Sequence, residues 1–265
     1  MKIAFSPCPN DTFVFHAWVH GLLDGAPSVE VTYADIDVTN TAAERGEFDV
    51  VKVSYAALPW LLDGYTLLPS GGALGRGCGP LVLTRGDAST VDGRTVAVPS
   101  ERSTAYLLFR LWAADQRPAR IEVVPFAAIM PAVRDGRYDA GLVIHEARFT
   151  YPSYGLRALA DLGEWWERDT GLPIPLGAIL ARRGLDALAG VVRDSVEYAW
   201  AHPSASAGYV AAHADEMSPD VQRQHIELYV NEFTRDLGDE GYAAAETLLN
   251  RAYKEGLTPQ CPPLR

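Results

Sequence analysis

The sequence predicts an α/β protein built from two similar lobes, and three observations carry that prediction. Apolar runs alternate with helical patterns in the order strand, helix, strand, helix, strand, the signature of a layered α/β unit. That order occurs once before Val53 and again between Thr95 and Ile144. Two stretches also match each other, GEFDVVKVSY at Gly46–Tyr55 and GRYDAGLVIH at Gly136–His145: each runs glycine, charged residue, aromatic, aspartate, then an apolar strand. A likeness on this scale indicates duplicated lobes and not a short-period solenoid.

The elements follow in order. Lys2–Phe5 is a short apolar run and reads as a buried strand. SPCPNDTF, Ser6–Phe13, comes next. Its Asn10, Asp11 and Thr12 are residue types that cap helices, so Phe13–His20 is expected as a helix closed by Gly21. Val29–Ile36 alternates apolar and polar residues, a second strand. Thr41–Glu47 is a short helix and Val50–Val53 a buried strand.

The second lobe repeats the scheme. Thr95–Val98 is a strand, Ser100–Thr104 a polar loop, and Ala105–Asp115 a helix. Ile121–Val124 is a strand, Ala127–Arg134 a helix and Ala140–Ile144 a strand. Two mutually similar segments, Pro80–Gly86 and Pro175–Arg182, flank this lobe and are expected as hinge crossovers. The lobes are then residues 1–84 with 177–265, and residues 85–176. Asp186–Ala201, Ser204–Ala214, Pro219–Arg235 and Asp239–Glu255 read as helices that return to cover the first lobe.

Composition narrows the function. A net charge of −11 and a pI near 5.0 argue against nucleic acid, which needs a basic footprint. A small anionic substrate remains compatible, because local basic groups outweigh global charge. Three cysteines without a CxxC pair point to neither a disulfide framework nor a zinc site. No apolar run approaches the roughly 18 residues of a membrane span, and the first strand begins too early for a signal peptide. The expectation is a cytoplasmic protein with no membrane insertion, no metal and no cofactor.

In open α/β sheets, ligands sit beyond the carboxyl ends of strands, beside helix N-termini. That rule marks Asn10, Asp11 and Thr12 in the first lobe and Ser103 and Thr104 in the second as candidate binding residues. His145, at the end of an apolar strand, is a candidate general base, the commonest such role for histidine. Lys52 lies inside the apolar run Val50–Val53, where a charge must be paired or solvated; a substrate carboxylate or a snorkelled edge position would serve. Arg76 and Arg148 are candidate anion holders. Cys8 paired with His145 would be a nucleophile, but no acyl-transfer motif accompanies it. His16 and His20, spaced i, i+4, lack a third metal ligand.

Several longer motifs carry a resemblance. SPCPNDTF, KVSYAA at Lys52–Ala57, GALGRGCGPLV at Gly72–Val82, IMPAV at Ile129–Val133, GLVIHEARFTY at Gly141–Tyr151, DLGEWW at Asp161–Trp166 and TGLPIPLG at Thr170–Gly177 stand in the order found in the 1,4-dihydroxy-6-naphthoate synthase family. HPSAS at His202–Ser206 and LYVNEFT at Leu228–Thr234 fit as well, so the chain resembles that family over nearly its whole length. The resemblance implies a two-lobed fold like that of type 2 periplasmic binding proteins, with a cleft between the lobes. It implies conversion of cyclic dehypoxanthine futalosine to 1,4-dihydroxy-6-naphthoate in menaquinone biosynthesis, with His145 as base and Ser54, Tyr55, Ala56, Ser103 and Thr104 as substrate contacts. The chain departs from the family pattern in the charged loop SERSTA, Ser100–Ala105, and at Ala147. Two competing readings share the fold: a chorismate dehydratase of the same pathway and a non-catalytic solute-binding protein.

Overall fold

The computed structural model of the chain describes residues 1–214 and 218–265. In chain order the elements are β1 (Lys2–Phe5), α1 (Pro9–Val19), β2 (Glu30–Tyr33), α2 (Ile36–Glu44), β3 (Val50–Ser54), α3 (Leu58–Leu61) and β4 (Tyr65–Gly75). There follow β5 (Leu81–Thr84), β6 (Thr95–Val98), α4 (Thr104–Trp112), β7 (Arg120–Val123), α5 (Phe126–Arg134), β8 (Ala140–Val143), α6 (Ala147–Thr150), β9 (Arg157–Asp161) and α7 (Leu162–Thr170). The chain closes with β10 (Ile174–Arg182), α8 (Leu188–Ala201), α9 (Ala207–His213), α10 (Pro219–Tyr229), α11 (Glu232–Arg235) and α12 (Gly238–Lys254).

Two compact units result. One comprises Met1–Gly75 with Pro175–Arg265, the other Arg76–Ile174. Their sheets share one plan. The first runs β2-β1-β3-β10-β4 and the second β7-β6-β8-β5-β9. The first three strands of each order are parallel, and the fourth, β10 or β5, is antiparallel to the third.

The repeated glycine–aspartate motif has a mechanical explanation. Gly46 and Gly136 follow the ends of α2 and α5 with φ of 66° and 76°, a conformation that a side chain disfavours. Three residues later, Asp49 Oδ2 accepts the Lys2 backbone N–H at 2.9 Å, and Asp139 Oδ2 accepts that of Thr95 at 2.8 Å. Each aspartate also donates its own N–H to the same residue's carbonyl, at 2.8 and 3.0 Å. The motif therefore ends one helix and pins the next parallel strand to the first.

Several sequence expectations need correction. Pro80–Gly86 and Pro175–Arg182 are not crossovers. Their centres are β5 and β10, sheet strands whose residues are nearly all buried, so pairing on both sides suits their apolar character. Leu81–Thr84 accordingly belongs to the second unit, and the chain passes between units at Gly75–Arg76 and Ile174–Pro175. The helix expected from Thr41 begins at Ile36, so the preceding strand stops at Tyr33. The helix expected over Pro219–Arg235 is broken at Asn231, whose side chain accepts the Phe233 N–H while its own N–H donates to the Thr234 hydroxyl.

Each unit has its own core. In the first, Ile3, Phe5, Phe15, Trp18, Ile179, Val192 and Val196 pack together, with the Phe5 and Phe15 rings stacked at 4.6 Å. In the second, Leu83, Ala97, Ile129, Val133, Val143 and Ala147 do so. A Cβ on Gly141 would lie 2.5 Å from Ile129 and 2.9 Å from Val133, so α5 rests directly on β8.

Bonds from the Thr95 N–H and hydroxyl hold the Asp139 carboxyl below the usual carboxylate range. Its stabilising effect is therefore complete above the unfolded value and fades as pH falls through the folded one. Asp139→Ala should cost about 1 kcal/mol in urea denaturation at neutral pH. The gap from wild type should narrow as the buffer approaches about pH 3; a gap that stays constant would contradict the pinning role.

Candidate functional site

In the first unit, polar residues collect at the carboxyl ends of β1 and β3. The helix after β1 starts earlier than its capping-type residues indicate: Pro9 occupies the first turn, where it loses no needed N–H, and Cys8 is the N-cap position without a side-chain cap. Asn10, Asp11 and Thr12 therefore lie within the first turn, and their side chains are used otherwise. Asp11 Oδ2 accepts the Ser6 hydroxyl at 2.7 Å, and Oδ1 accepts the Asn10 amide at 2.8 Å and pairs with the Lys52 ammonium. The Thr12 hydroxyl donates to the Cys8 carbonyl at 3.0 Å. Asn10 Oδ1 lies 3.1 Å from Nε2 of buried His225 on α10, so that nitrogen carries the proton.

Lys52 is thus neither snorkelled nor held out for a ligand. Its side chain is 5% exposed and that of Asp11 2%, and each neutralises the other. Such a pair survives burial only when its remaining bonding capacity is also met; Ser6 and Asn10 do this for the carboxylate. Gly177 on β10 leaves room for the lysine, since a Cβ there would lie 2.8 Å from Lys52 Cε.

The remaining residues of KVSYAA face inward. The Ser54 N–H donates to Asn40 Oδ1 at 2.8 Å, and the Asn40 amide donates to Ser54 Oγ at 3.3 Å. Tyr55 is fully buried, its hydroxyl makes no hydrogen bond among the described residues, and burial pushes its phenol far above the ordinary value. Ala56 is buried beside it. Ser6, Asn40 and His225 were not singled out in the sequence; a histidine 215 residues from its partner leaves no local signal.

In the second unit, β6 and β8 are parallel neighbours, so the residues after them share one edge of the sheet. Ser103 caps α4, its Oγ accepting the Tyr106 N–H at 3.2 Å and donating to the Ser100 carbonyl at 3.3 Å. Thr104 is the first helical residue and is buried. After β8, His145 adopts φ 55°, and it is the one non-glycine residue with positive φ among those described. Such a conformation costs of order 1–3 kcal/mol and concentrates at functional sites. The residue is half-buried, and its imidazole meets the Phe126 ring edge-to-face, with centroids 6.0 Å apart.

Both candidate anion-holding arginines have partners within the protein. Arg148 donates from one nitrogen to the Gly79 carbonyl at 2.8 Å and from the other to Asp161 Oδ2 at 2.6 Å. Arg76 donates to the Gly171 carbonyl at 3.0 Å and lies 3.7 Å from Glu167. The His16 and His20 rings lie 4.4 Å apart against Tyr209, and burial, then the charge on His20, lowers the pKa of His16. Among the described residues, no cluster of three or more His, Cys, Asp or Glu could hold a metal, and no helix is long and apolar enough to cross a membrane.

A family model described as menaquinone biosynthesis matches residues 1–254. A relative from Streptomyces coelicolor named 1,4-dihydroxy-6-naphthoate synthase is 66% identical over 271 aligned positions, covering 99% of this chain and 96% of its own. Among solved structures, a protein from Archaeoglobus fulgidus is 33% identical with a TM-score of 0.89, covering 97% of each chain. The periplasmic aliphatic sulphonate binding protein of Escherichia coli superposes with a TM-score of 0.71 over 100% of this chain and 90% of its own. At 16% identity that likeness is one of fold alone, and the fold is periplasmic-binding-protein-like.

Breaking the buried pair should be costly in a diagnostic way. Lys52→Met leaves the Asp11 carboxylate unpaired and should lower stability by about 3–5 kcal/mol. Adding Asp11→Asn should recover a substantial part, because both charges are then gone. Equal losses in the single and double variants, measured by chemical denaturation, would show that the two charges do not stabilise each other.

Proposed function

We propose, because the chain belongs to the menaquinone biosynthesis family, that it is a 1,4-dihydroxy-6-naphthoate synthase with His145 as its general base. The substrate would be cyclic dehypoxanthine futalosine, an anionic small molecule. The reaction would be a carbon–carbon lyase cleavage that separates the bicyclic acid from a sugar-derived fragment. A cytoplasmic location suits such a biosynthetic step, and the proposed chemistry calls for neither metal nor cofactor.

The observation that carries the base assignment is the backbone of residue 145. A non-glycine residue at φ 55° is uncommon, although histidine, like asparagine, enters that region more readily than most, and such a backbone concentrates at functional sites. It stands at the carboxyl edge of its sheet, where α/β folds place ligands, and the residue is half-buried. Cleavage needs one proton removed from the substrate and the resulting negative charge stabilised, while aromatisation of the new ring supplies driving force. A neutral imidazole suits the first task. Hydroxyl and backbone N–H donors suit the second. Thr104, after the neighbouring strand β6, is a candidate donor in the same unit; the Ser103 hydroxyl already serves as a helix cap. In the first unit, Ser54 and the Asn10–Thr12 turn stand at the corresponding edge. Asp11, within that turn, is tied to β3 by its pairing with Lys52.

Purified protein incubated with cyclic dehypoxanthine futalosine should release 1,4-dihydroxy-6-naphthoate, identified by mass, and should leave chorismate untouched. His145→Asn is the informative variant, since asparagine enters the left-handed region more readily than most residues yet takes no proton at neutral pH. It should fold, retain KM, and lose about 10²–10⁴-fold in kcat. A folded variant with near-normal kcat would remove His145 from the chemistry.

A further inference from the structure

We propose that Arg148 is a positioning residue, whose two-pronged tie to Gly79 and Asp161 holds the His145 turn in its left-handed conformation. This rests on the reading of His145 as the base. It gives Arg148 a role other than holding the substrate carboxylate.

A strained backbone persists only where neighbouring structure over-determines it. At residue 145 the neighbouring structure comes from its own short turn. The Arg148 N–H donates to the His145 carbonyl at 3.2 Å, closing the turn that begins α6. The side chain of the same residue then fixes that turn to the rest of the unit. Its two acceptors stand at one end of the sheet. Leu81 on β5 pairs with Val143, the last residue of β8, and with Asp161, the last residue of β9. Gly79 lies two residues before Leu81, so Arg148 spans the same end of β8, β5 and β9 from which His145 emerges. Ala147, between His145 and Arg148 in the chain, is fully buried in the core of the unit.

The acceptors are themselves immobilised. Asp161 Oδ1 accepts the N–H groups of Gly163 and Glu164 at 2.8 and 3.2 Å, capping α7, which leaves Oδ2 aimed at the guanidinium. The Leu162 N–H donates to the Pro80 carbonyl at 2.9 Å. Gly79 and Gly163 cross backbone to backbone, and a Cβ on Gly163 would lie 2.8 Å from the Gly79 nitrogen. This explains Gly79, the second glycine of GCGP, and Gly163 of DLGEWW: a side chain on either would separate the segments that Arg148 joins. The pair is shielded, with side-chain exposures of 19% for Arg148 and 11% for Asp161. A charge-assisted bond in such a place is stronger and more directional than a surface ion pair. The neighbouring Cys78 thiol, pushed up to about 12 chiefly by burial, reports the same dry environment.

The test uses purified enzyme with cyclic dehypoxanthine futalosine and a thermal melt of each variant. Asp161→Asn keeps an oxygen to cap α7 and removes the charge opposite Arg148; Arg148→Met removes the tie itself. Misplacement of a catalytic group by about 1 Å can cost on the order of 100-fold. Each folded variant should therefore lose about 10- to 100-fold in kcat with KM within about two-fold of wild type. Arg148→Lys, which restores a charge for Asp161 but not the fork, should recover only part of the rate. Placed on His145→Asn, Arg148→Met should cause no further loss in single turnover, because a residue acting through His145 has nothing left to position. Wild-type kcat in folded Arg148→Met and Asp161→Asn, a rise in KM alone, or an undiminished loss on the His145→Asn background would each overturn the proposal. Should Arg148→Met fail to fold, the milder Asp161→Asn decides by the same criteria. Normal turnover by His145→Asn itself would instead remove the base assignment, and the positioning role with it.

Discussion

The left-handed backbone at His145 is the constraint around which the second unit is arranged. A non-glycine residue at φ 55° sacrifices of order 1–3 kcal/mol of local stability. Glycine would have filled the position more comfortably, but glycine has no imidazole. The sharp reversal places the ring just beyond β8 and against Phe126, so it leaves the core while the chain behind it re-enters at Ala147. The pieces that make this possible come from distant parts of the unit: Gly79 before β5, Asp161 after β9, and the close crossing of Gly79 with Gly163. Rigid strands thus define a turn whose own propensities do not.

The first unit solves a different problem at its equivalent edge. Tyr55 corresponds in sequence to His145, yet its ring is sealed inside. The chemistry-bearing groups there are drawn from α1, β3 and α10 into a network centred on Asp11 and Lys52. Pro9 opens α1, and Asp11 in the first turn of that helix pairs with Lys52. The two units therefore share strand order and strand-pinning aspartates while their sheet ends have diverged. One carries a histidine at positive φ, and the other buries an ion pair.

Much of the framework was legible in the sequence because it depends on local pattern. The alternation of strands and helices, the duplicated GEFD and GRYD signals, and the placement of His145 past a strand all follow from spacing within ten or so residues. The features that were misread depend on partners far away in the chain. Pro80–Gly86 and Pro175–Arg182 look alike because each is the antiparallel fourth strand of a sheet, which extended apolar sequence alone does not distinguish from a crossover. Asn10 and Asp11 look like helix caps, but His225, Ser6 and Lys52 claim their side chains. Arg148 looks like a free cation until Asp161, thirteen residues on, is brought beside it. The family motifs were legible as words, and their physical content appears only in three dimensions: the aspartate of DLGEWW is a helix cap and an arginine anchor at once.

The pH dependence of kcat, measured from about pH 5 to 8 where imidazoles titrate, bears most directly on whether His145 takes the proton. If it does, kcat falls toward acid pH with the slope of a single protonation, while the protein stays folded and substrate stays bound. A kcat that remains flat across that range in folded, saturated enzyme would contradict a histidine base and leave the strained turn without its proposed purpose.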